Sequence, residues 1–177
     1  MEFFAYIATS LDGFIARPDG GLDWLPKPQE GGEDYGYGRF FEGVDGMVMG
    51  RNTYDTVLSF GQWTYADKRM WVLSSRELEL PEFMPQTVAR WSGSLNALVE
   101  ELVAQGVQKV YVDGGKTIRS FLQAGLLDEI TVTTIPVLIG QGIPLFGPLD
   151  ADVKLELLES RAFEDGLMQS RYAVVKG

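Results

Sequence analysis

The feature that most constrains this chain is a series of short apolar runs, each followed by a turn and then by a helical pattern. Runs that predict strands buried on both faces of a sheet lie at residues 46–49, 70–73 and 109–112. Two longer runs, residues 3–9 and 129–137, also have strand character. Because strands that alternate with helices form parallel sheets with right-handed crossovers, this pattern predicts a mostly parallel central sheet.

Helical periodicity occupies the intervals between these runs. The clearest helix is residues 94–105, where Ser94 can cap the start, leucines and valines recur on one face, and Gly106 can end it. Other helices are predicted at residues 34–42, 53–58 and 117–124.

The end of the chain breaks the alternation. Residues 153–158 and 171–175 are strand-like with no helix between them, which predicts an antiparallel pair. The fold prediction is therefore a single domain over residues 1–177, with a three-layer α/β/α architecture and a mostly parallel central sheet with an antiparallel C-terminal strand.

Composition excludes several classes of chemistry. The 177 residues include no cysteine and no histidine, which excludes Ser-His-Asp and Cys-His catalysis, disulfides and metal sites built on those ligands, so we expect no metal. The formal net charge of −10 repels nucleic acid and anionic membranes. No apolar run approaches the ~18 residues of a membrane span, and no basic segment of a signal peptide is present. We expect a cytoplasmic protein without nucleic-acid or membrane partners.

The first candidate site follows the apolar run at residues 46–49. Gly50 lets another group approach the backbone, Arg51 offers a planar guanidinium suited to phosphate, and Asn52 or Thr53 can cap the next helix. Free N–H groups at a helix start bind anions, so this turn predicts a phosphate site. An ordinary strand–turn–helix with a surface arginine fits the same residues.

A second turn repeats this arrangement after residues 109–112. Gly114 and Gly115 would let a pyrophosphate or a nicotinamide ring lie against the backbone, and Lys116 and Thr117 open the next helix. A tight βα turn that requires glycine is the alternative, because neither the GxGxxG nor the Walker pattern is present. Two such turns in one small α/β chain favour a nucleotide.

A third polar segment, Leu73 to Arg76, follows the run at residues 70–73. An acidic residue here would favour the 2′-hydroxyl of NAD, whereas Ser74, Ser75 and Arg76 suit the 2′-phosphate of NADP. Taken alone, these residues also fit a solvated polar turn.

The ordered motifs resemble the dihydrofolate reductase superfamily, and within it the reductase domain of bacterial riboflavin biosynthesis and its stand-alone relatives. The matching segments cover almost the whole chain: residues 8–16, 22–25, 48–54, 71–76, 112–115, 126–130 and 136–146. The resemblance implies the dihydrofolate-reductase-like fold, NADPH as cofactor and a homodimer, for which residues 130–139 would supply either an interface or a central strand. We expect a stand-alone reductase rather than the bifunctional deaminase-reductase.

The resemblance also implies which residues contact NADPH. Ala8 and Ile15 would approach the nicotinamide, and Gly20, Gly21 and Leu22 would form a mobile loop over it. Phosphate would be held by Gly50, Arg51, Asn52 and Thr53. The adenosine 2′-phosphate would be surrounded by Leu73, Ser74, Ser75 and Arg76. The pyrophosphate and the nicotinamide would contact Gly114, Gly115, Lys116, Thr117 and Ile118. Ile118 stands where dihydrofolate reductases tend to have tyrosine, and Asp113 replaces a glycine of their triple-glycine run.

Asp34 is the candidate proton donor, because its spacing before Gly50 is similar to that of the dihydrofolate reductase carboxylate. A carboxyl group near the substrate could have a raised pKa and deliver a proton after hydride transfer. Glu33 could serve instead, and an exposed acid in a helix's first turn is the alternative for Asp34. Asp12 is interpreted as a turn residue before Gly13.

The function predicted is an NADPH-dependent oxidoreductase that transfers hydride to a small heterocyclic substrate. The substrate would be a pteridine, or a riboflavin-pathway pyrimidine such as a 5-amino-6-ribosylamino-uracil phosphate. A non-catalytic nucleotide- or ligand-binding module on the same fold is the alternative, because fold does not establish function.

Overall fold

The computed structural model describes residues 1–26, 32–61, 63–65 and 68–176. Residues 27–31, in the proline-, glycine- and acid-rich stretch at 26–37, lie outside this range. The elements in chain order are β1 (Glu2–Ser10), β2 (Phe14–Ala16), α1 (Tyr37–Glu42), β3 (Gly46–Gly50), α2 (Arg51–Ser59), β4 (Arg69–Leu73), β5 (Val88–Trp91), α3 (Leu95–Ala104), β6 (Lys109–Asp113), α4 (Gly115–Gln123), β7 (Glu129–Ile135), β8 (Ile143–Pro144), β9 (Leu155–Ala162) and β10 (Met168–Val174).

An eight-stranded sheet in the order β5-β4-β3-β6-β1-β7-β10-β9 forms the centre of the fold. The strands from β5 to β7 pair in parallel, whereas β10 is antiparallel to both β7 and β9. The predicted fold class is thereby confirmed: a mostly parallel sheet that ends in antiparallel strands. β7 is an internal strand, so the central-strand alternative holds for residues 129–135.

Helices cover both faces of the parallel part of the sheet. On one face, α3 and α4 bury Leu98, Leu102, Ile118 and Phe121 against strand residues such as Val112. On the other face, α1 and α2 pack aromatic side chains against the methionines of β3 and β4. Because both faces are covered, strands such as β3, which has the sequence GMVMG, are apolar along almost their whole length.

Several element boundaries differ from the sequence predictions. α1 begins at Tyr37 rather than near Asp34, because Tyr35 and Gly36 adopt positive φ values of 56° and 87° that end any helix there. α2 and α4 begin at Arg51 and Gly115, earlier than predicted. The predicted α3 is confirmed, with Ser94 as its cap. Among the described residues, no helix is both long enough and apolar enough to cross a membrane.

A small second sheet was not predicted. β2 and β8 form an antiparallel pair of three and two residues. Strands this short have too few residues to produce a recognisable periodicity, so their pairing is a product of the tertiary fold.

Candidate active site

The two glycine turns lie side by side at one edge of the sheet. β3 and β6 are neighbouring parallel strands, with Met49 opposite Asp113, so the turns that follow them emerge together at their carboxyl ends. The crevice outside the carboxyl ends of the strands is where open α/β sheets bind ligands. The fold therefore brings together the two turns that were treated separately in the sequence.

In each turn, a threonine side chain from the other turn packs directly against the glycine. A β carbon on Gly50 would lie 2.9 Å from Oγ1 of Thr117, and one on Gly114 would collide with Oγ1 of Thr53. Gly114 also has φ of 92°, a conformation that favours glycine. The group that approaches these two glycines most closely is thus part of the protein, and the threonines join the two turns into one surface.

The helices that follow these turns have uncapped N-termini. Gly50 and Gly114 occupy the N-cap positions of α2 and α4, and a glycine has no side chain to accept a hydrogen bond from the first turn of its helix. The Gly114 N–H itself donates to the Asp113 carboxylate at 2.8 Å. The prediction that Asn52 or Thr53 caps α2 is therefore wrong. In α3, by contrast, the Ser94 hydroxyl accepts a hydrogen bond from the Ala97 N–H at 3.2 Å. First-turn N–H groups without a side-chain cap and the helix dipole attract anions, so the prediction of phosphate binding at these two helix starts is consistent with their geometry.

Arg51 spans from α2 to the segment after β4. Its Nε donates to the Asp55 carboxylate at 2.8 Å, and its Nη1 donates to the Glu77 carbonyl at 2.9 Å. These contacts hold the guanidinium at the side of the site that faces residues 74–79. Its role as a phosphate ligand stays a prediction.

The segment after β4 forms a tight polar turn beside α2. The Ser74 hydroxyl donates to the Arg76 carbonyl at 2.7 Å, and the Ser74 N–H donates to the Trp91 carbonyl at 2.9 Å. Ser75 and Arg76 are exposed. Since β4 is adjacent to β3, this turn lies at the same edge of the sheet as Gly50, as a 2′-phosphate site would require.

The β2–β8 pair covers the start of α4. A β carbon on Gly115 would lie 2.8 Å from Cδ1 of Ile15. The pair is held in place by Asp12, whose carboxylate accepts a hydrogen bond from the Ser10 hydroxyl at 2.6 Å and from the Gly140 N–H at 2.7 Å. Asp12 thus anchors the loop before β2 to the loop before β8, in agreement with its interpretation as a turn residue.

An apolar cavity of about 230 Å³ lies on the α1 side of the sheet beside the end of β1. Its lining consists of Tyr6, Ile7, Ala8, Leu25, Pro26, Asp34, Tyr35, Tyr37, Thr133, Ile135 and Leu167. Ala8, predicted to contact the nicotinamide, and Asp34, predicted to donate the proton, therefore line the same cavity. Gly20, Gly21 and Leu22 belong to a turn closed by the Arg17–Asp23 ion pair at 2.6 Å, just before the lining residues Leu25 and Pro26.

The carboxylate of Asp34 is exposed and strongly hydrogen-bonded. It accepts from the N–H groups of Gly36 at 2.8 Å and Gly38 at 3.0 Å. These two hydrogen bonds lower the pKa of Asp34, against a smaller opposing effect of burial. The carboxylate form is therefore favoured near neutral pH, which is unlike a group that holds a proton ready for transfer.

Asp113 has the opposite environment. It ends β6 immediately before Gly114, and burial raises its pKa to about 6 in spite of the lowering effects of the Gly114 N–H and the Tyr111 hydroxyl. The negative charge of Asp113 also helps to raise the pKa of Tyr37, which lines the apolar cavity. Asp113 was considered in the sequence only as a replacement for glycine, although an acidic residue at the end of a buried strand was a signal that could have identified it.

A model of the RibD C-terminal domain family matches residues 3–169. This chain belongs to that family. YwjB of Bacillus subtilis (strain 168), an uncharacterized protein, is 34% identical to this RibD C-terminal domain over 160 residues, which cover 89% of the chain and 90% of YwjB. The resemblance to the riboflavin-type branch is thereby confirmed.

Solved structures agree with this assignment. A Shewanella sp. PV-4 protein, provisionally assigned to riboflavin biosynthesis, is 41% identical with a TM-score of 0.90, and the match covers 99% of both chains. The Thermotoga maritima diaminohydroxyphosphoribosylaminopyrimidine deaminase/5-amino-6-(5-phosphoribosylamino)uracil reductase has a TM-score of 0.72 at 15% identity, which shows the shared fold. That match covers 98% of this RibD C-terminal domain and 56% of the Thermotoga chain.

Other residues of this RibD C-terminal domain emerged only from the structure. Tyr6, Tyr35, Tyr37 and Thr133 surround the apolar cavity from β1, the segment before α1, α1 and β7. Tyr6, the pair Tyr35 and Tyr37, and Thr133 are far apart in sequence, so no spacing rule could have grouped all four.

Proposed function

We propose that this protein is an NADPH-dependent reductase that transfers hydride to a small heterocyclic substrate. The observation that carries the proposal is the pair of uncapped helix N-termini, side by side at the carboxyl ends of β3 and β6 and close to an apolar cavity that includes Ala8. Family membership supports the proposal, because the RibD C-terminal domain is a reductase family.

The residues present fit an anionic dinucleotide. In a protein with a net charge of −10, such a ligand needs local donors, and the first turns of α2 and α4 supply backbone N–H groups without competing side-chain caps. Phosphates would be held by residues 50–53 and 114–117, with Lys116 adding a positive charge. The polar turn at Ser74, Ser75 and Arg76 would bind the 2′-phosphate.

The substrate would occupy the apolar cavity beside Ala8. A heterocyclic ring suits its mixture of apolar and aromatic walls, and the cavity also contains a threonine hydroxyl at Thr133 and the Asp34 carboxylate. Bound NADPH supplies hydride, and the protein orients the two rings and keeps water away from them. A pteridine or a pyrimidine such as the uracil derivative in the name of the Thermotoga enzyme has the right chemical class.

Two carboxyl groups compete for the proton-transfer role. Asp34 lines the cavity, but its lowered pKa disfavours the acid form. Asp113 has a pKa of about 6, so a useful fraction carries a proton near neutral pH, and it lies on the same face of β6 as Tyr111. We propose that Asp113 is the proton source, with Asp34 as the alternative. If Asp113 supplies the proton, the Asp34 carboxylate would bind a hydrogen-bond donor group of the substrate.

The test begins with thermal denaturation in the presence of NADPH, NADH or neither. We expect a clear increase in the melting temperature with NADPH and a smaller one with NADH; no shift with either would refute the proposal. Oxidation of NADPH is then measured with two candidate substrates. They are dihydrofolate and the deaminated pyrimidine 5-amino-6-(5-phosphoribosylamino)uracil. Binding of NADPH without oxidation by any substrate of these classes would favour the non-catalytic binding module.

We also propose a homodimer in which the C-terminal strands form the interface. All eight residues of β9 are exposed, including Leu155, Leu157 and Leu158, and β9 is an edge strand of the large sheet. Exposed apolar strands of this kind mark association surfaces. Sedimentation should show a dimer that Leu157→Lys dissociates and that Leu80→Lys, at an exposed leucine outside both candidate interfaces, leaves intact. The absence of cysteine fits the further proposal of a cytoplasmic location.

A further inference from the structure

A second and larger cavity, of about 570 Å³, lies on the α1 face of the sheet away from the glycine turns. Four basic residues line it, and they come from α1, β6, β9 and β10: Arg39, Lys109, Arg161 and Arg171. We call this space the cationic cavity. Its volume is within the range of about 300–1,000 Å³ that is usual for small-molecule sites.

The charge of this cavity contrasts with that of the whole protein. The chain has 15 basic and 25 acidic residues, yet the lining contains four basic residues and one acidic residue, Glu159. Surrounding positive charge in a partly enclosed space raises the local concentration of anions. A cationic lining in an acidic protein therefore indicates an anionic ligand.

Ion pairs account for only part of this charge. Arg171 lies 3.0 Å from Glu129 and 3.6 Å from Glu159, and Arg161 lies 3.9 Å from Glu33. Within the described ranges, no carboxylate lies at salt-bridge distance from Arg39 or Lys109. Two of the four basic residues that line the cavity thus have no acidic partner within salt-bridge distance among the described residues.

Aromatic rings form much of the remaining wall. Phe4, Tyr6 and Phe40 line the cavity, and the rings of Tyr6 and Phe40 stack with their centroids 4.8 Å apart. Polar groups are also present, because the Gln169 side chain faces this space and donates to the Tyr6 hydroxyl at 2.7 Å. A flat ligand could contact these rings while its charged group meets the basic residues.

The cationic cavity is separate from the proposed cofactor site. Lys109 begins β6 and Gly114 follows its end, so five residue steps of extended strand, about 16 Å, separate them. From the apolar cavity it is divided by a hydrogen-bonded wall, in which the Tyr35 carbonyl accepts from the Tyr6 hydroxyl at 2.5 Å and from Gln169 at 3.0 Å. A ligand in the cationic cavity therefore need not displace NADPH.

We propose that the cationic cavity is a second binding site, for a small aromatic anion with one ring and one carboxylate or phosphate group. Arg39 and Lys109 bind the anionic group, and the ring lies against the aromatic wall of Phe4, Tyr6 and Phe40. This site is independent of the reductase activity proposed above.

Benzoate is a suitable probe, with benzamide as its neutral isostere and inorganic phosphate as an anion without a ring. Calorimetric titrations are made on the full chain with saturating NADPH present, so that the cofactor site cannot bind the probe. We expect benzoate to bind with one site per chain, at least tenfold more tightly than benzamide or phosphate, and to weaken as salt is added.

Arg39→Gln and Lys109→Gln should each weaken benzoate binding about tenfold, equivalent to the ~1.4 kcal/mol that one well-placed charge contributes. Lys154→Gln, an equal charge change at an exposed position away from the cavity, should leave it unchanged. NADPH affinity should be the same in all three variants, which separates this test from that of the reductase proposal.

Several results would overturn the proposal. They are the absence of saturable benzoate binding, equal binding of benzoate and benzamide, or benzoate binding that neither cavity variant changes. Binding of phosphate as tight as that of benzoate would refute the aromatic part. Benzoate binding that disappears as the protein dimerises would identify a second copy as the occupant of the cavity. If a variant fails to fold, the salt dependence and the benzamide comparison on the unmodified protein still decide the matter.

Discussion

Thr53 occupies the space that a side chain on Gly114 would need, although the two residues belong to turns 61 positions apart in the chain (114 − 53 = 61). The contact runs from the first turn of α2 to the N-cap of α4, and its counterpart runs from Thr117 back to Gly50. The two turns consequently behave as one unit, and a change in either should disturb both proposed phosphate sites.

Gly114→Ala tests this coupling. The new methyl group would meet the Thr53 hydroxyl at a position where φ of 92° already disfavours alanine, so both the stability and the NADPH affinity should decrease. Gly125→Ala is the matched control, since Gly125 also has positive φ, of 65°, but has open space around it. The control should lose about 1 kcal/mol of unfolding free energy and keep its NADPH affinity. Equal effects of the two substitutions would contradict the coupling.

Arg76 should determine the preference for NADPH over NADH. Arg76→Gln removes the positive charge next to the Ser74 turn, and we expect the dissociation constant for NADPH to increase about tenfold while that for NADH stays constant. The comparison is Arg69→Gln at the opposite end of β4, where the guanidinium donates to the Gln105 carbonyl. Fluorescence titration with both cofactors measures the ratio, and a parallel loss of both affinities would assign Arg76 a general role.

The pH dependence of turnover distinguishes the two candidate proton sources. If Asp113 delivers the proton, the rate of NADPH oxidation should fall above pH 6 by about tenfold per pH unit, because its pKa is about 6. Asp113→Asn should abolish that dependence together with most of the activity. Asp34→Asn should mainly raise the KM. A profile whose break near pH 6 survives in Asp113→Asn would rule out Asp113.

Asp113 should also make the protein less stable at neutral pH than in mild acid. Its pKa is higher in the folded protein than the ordinary value of 3.8, so the folded state binds the extra proton between pH 3.8 and about 6. Its contribution to the unfolding free energy therefore falls as the pH rises through this interval, by about 3 kcal/mol in total for a shift of this size.

Asp113→Asn should accordingly raise the melting temperature at pH 8, and its advantage should shrink toward pH 4. Asp150→Asn, at an exposed position, makes the same change in net charge and should have little effect at either pH. Thermal denaturation of the three proteins at both pH values measures the difference. An advantage of Asp113→Asn that is equal at pH 4 and pH 8 would indicate a packing effect instead.

Asp12 should contribute to stability through the two loops that it joins. The Ser10 hydroxyl and the N–H groups of Gly140 and Ile139 stabilise its carboxylate and lower its pKa. The contribution is therefore complete above the ordinary pKa of 3.8 and is lost as the pH falls through the lowered value in the folded state. Asp12→Asn should lower the melting temperature at pH 7, and the gap should narrow in strong acid. Asp152→Asn on the exposed surface is the control.

Much of the sheet was predictable from the sequence. β3, β4 and β6 are buried on both faces, and burial of this kind leaves a run of apolar residues that needs no partner to be recognised. β5 was missed, because its sequence VARW alternates too briefly to signal a strand. The capping of α3 by Ser94 was predictable for a similar reason: the hydrogen bond that starts the helix lies within four residues.

The candidate site was predictable in part. The glycine turns and the Ser74 to Arg76 segment are local motifs, and their residues could be named in advance. The directions of the pKa shifts of Asp34 and Asp113 were not predictable. Each depends on how far the folded chain buries the carboxyl group and on which N–H groups donate to it. The tyrosines of the apolar cavity and the basic residues of the cationic cavity are likewise dispersed along the chain.

The sequence by itself determined most strands of the large sheet, the turns that follow them and the parallel arrangement, because apolar periodicity, glycine and helix starts act over a few residues. Only the tertiary structure decided that β3 and β6 are neighbours, that Thr53 meets Gly114, and that Asp113 rather than Asp34 is the acid with a raised pKa. Those relationships depend on strand order and on burial, which arise when segments far apart in the chain pack together.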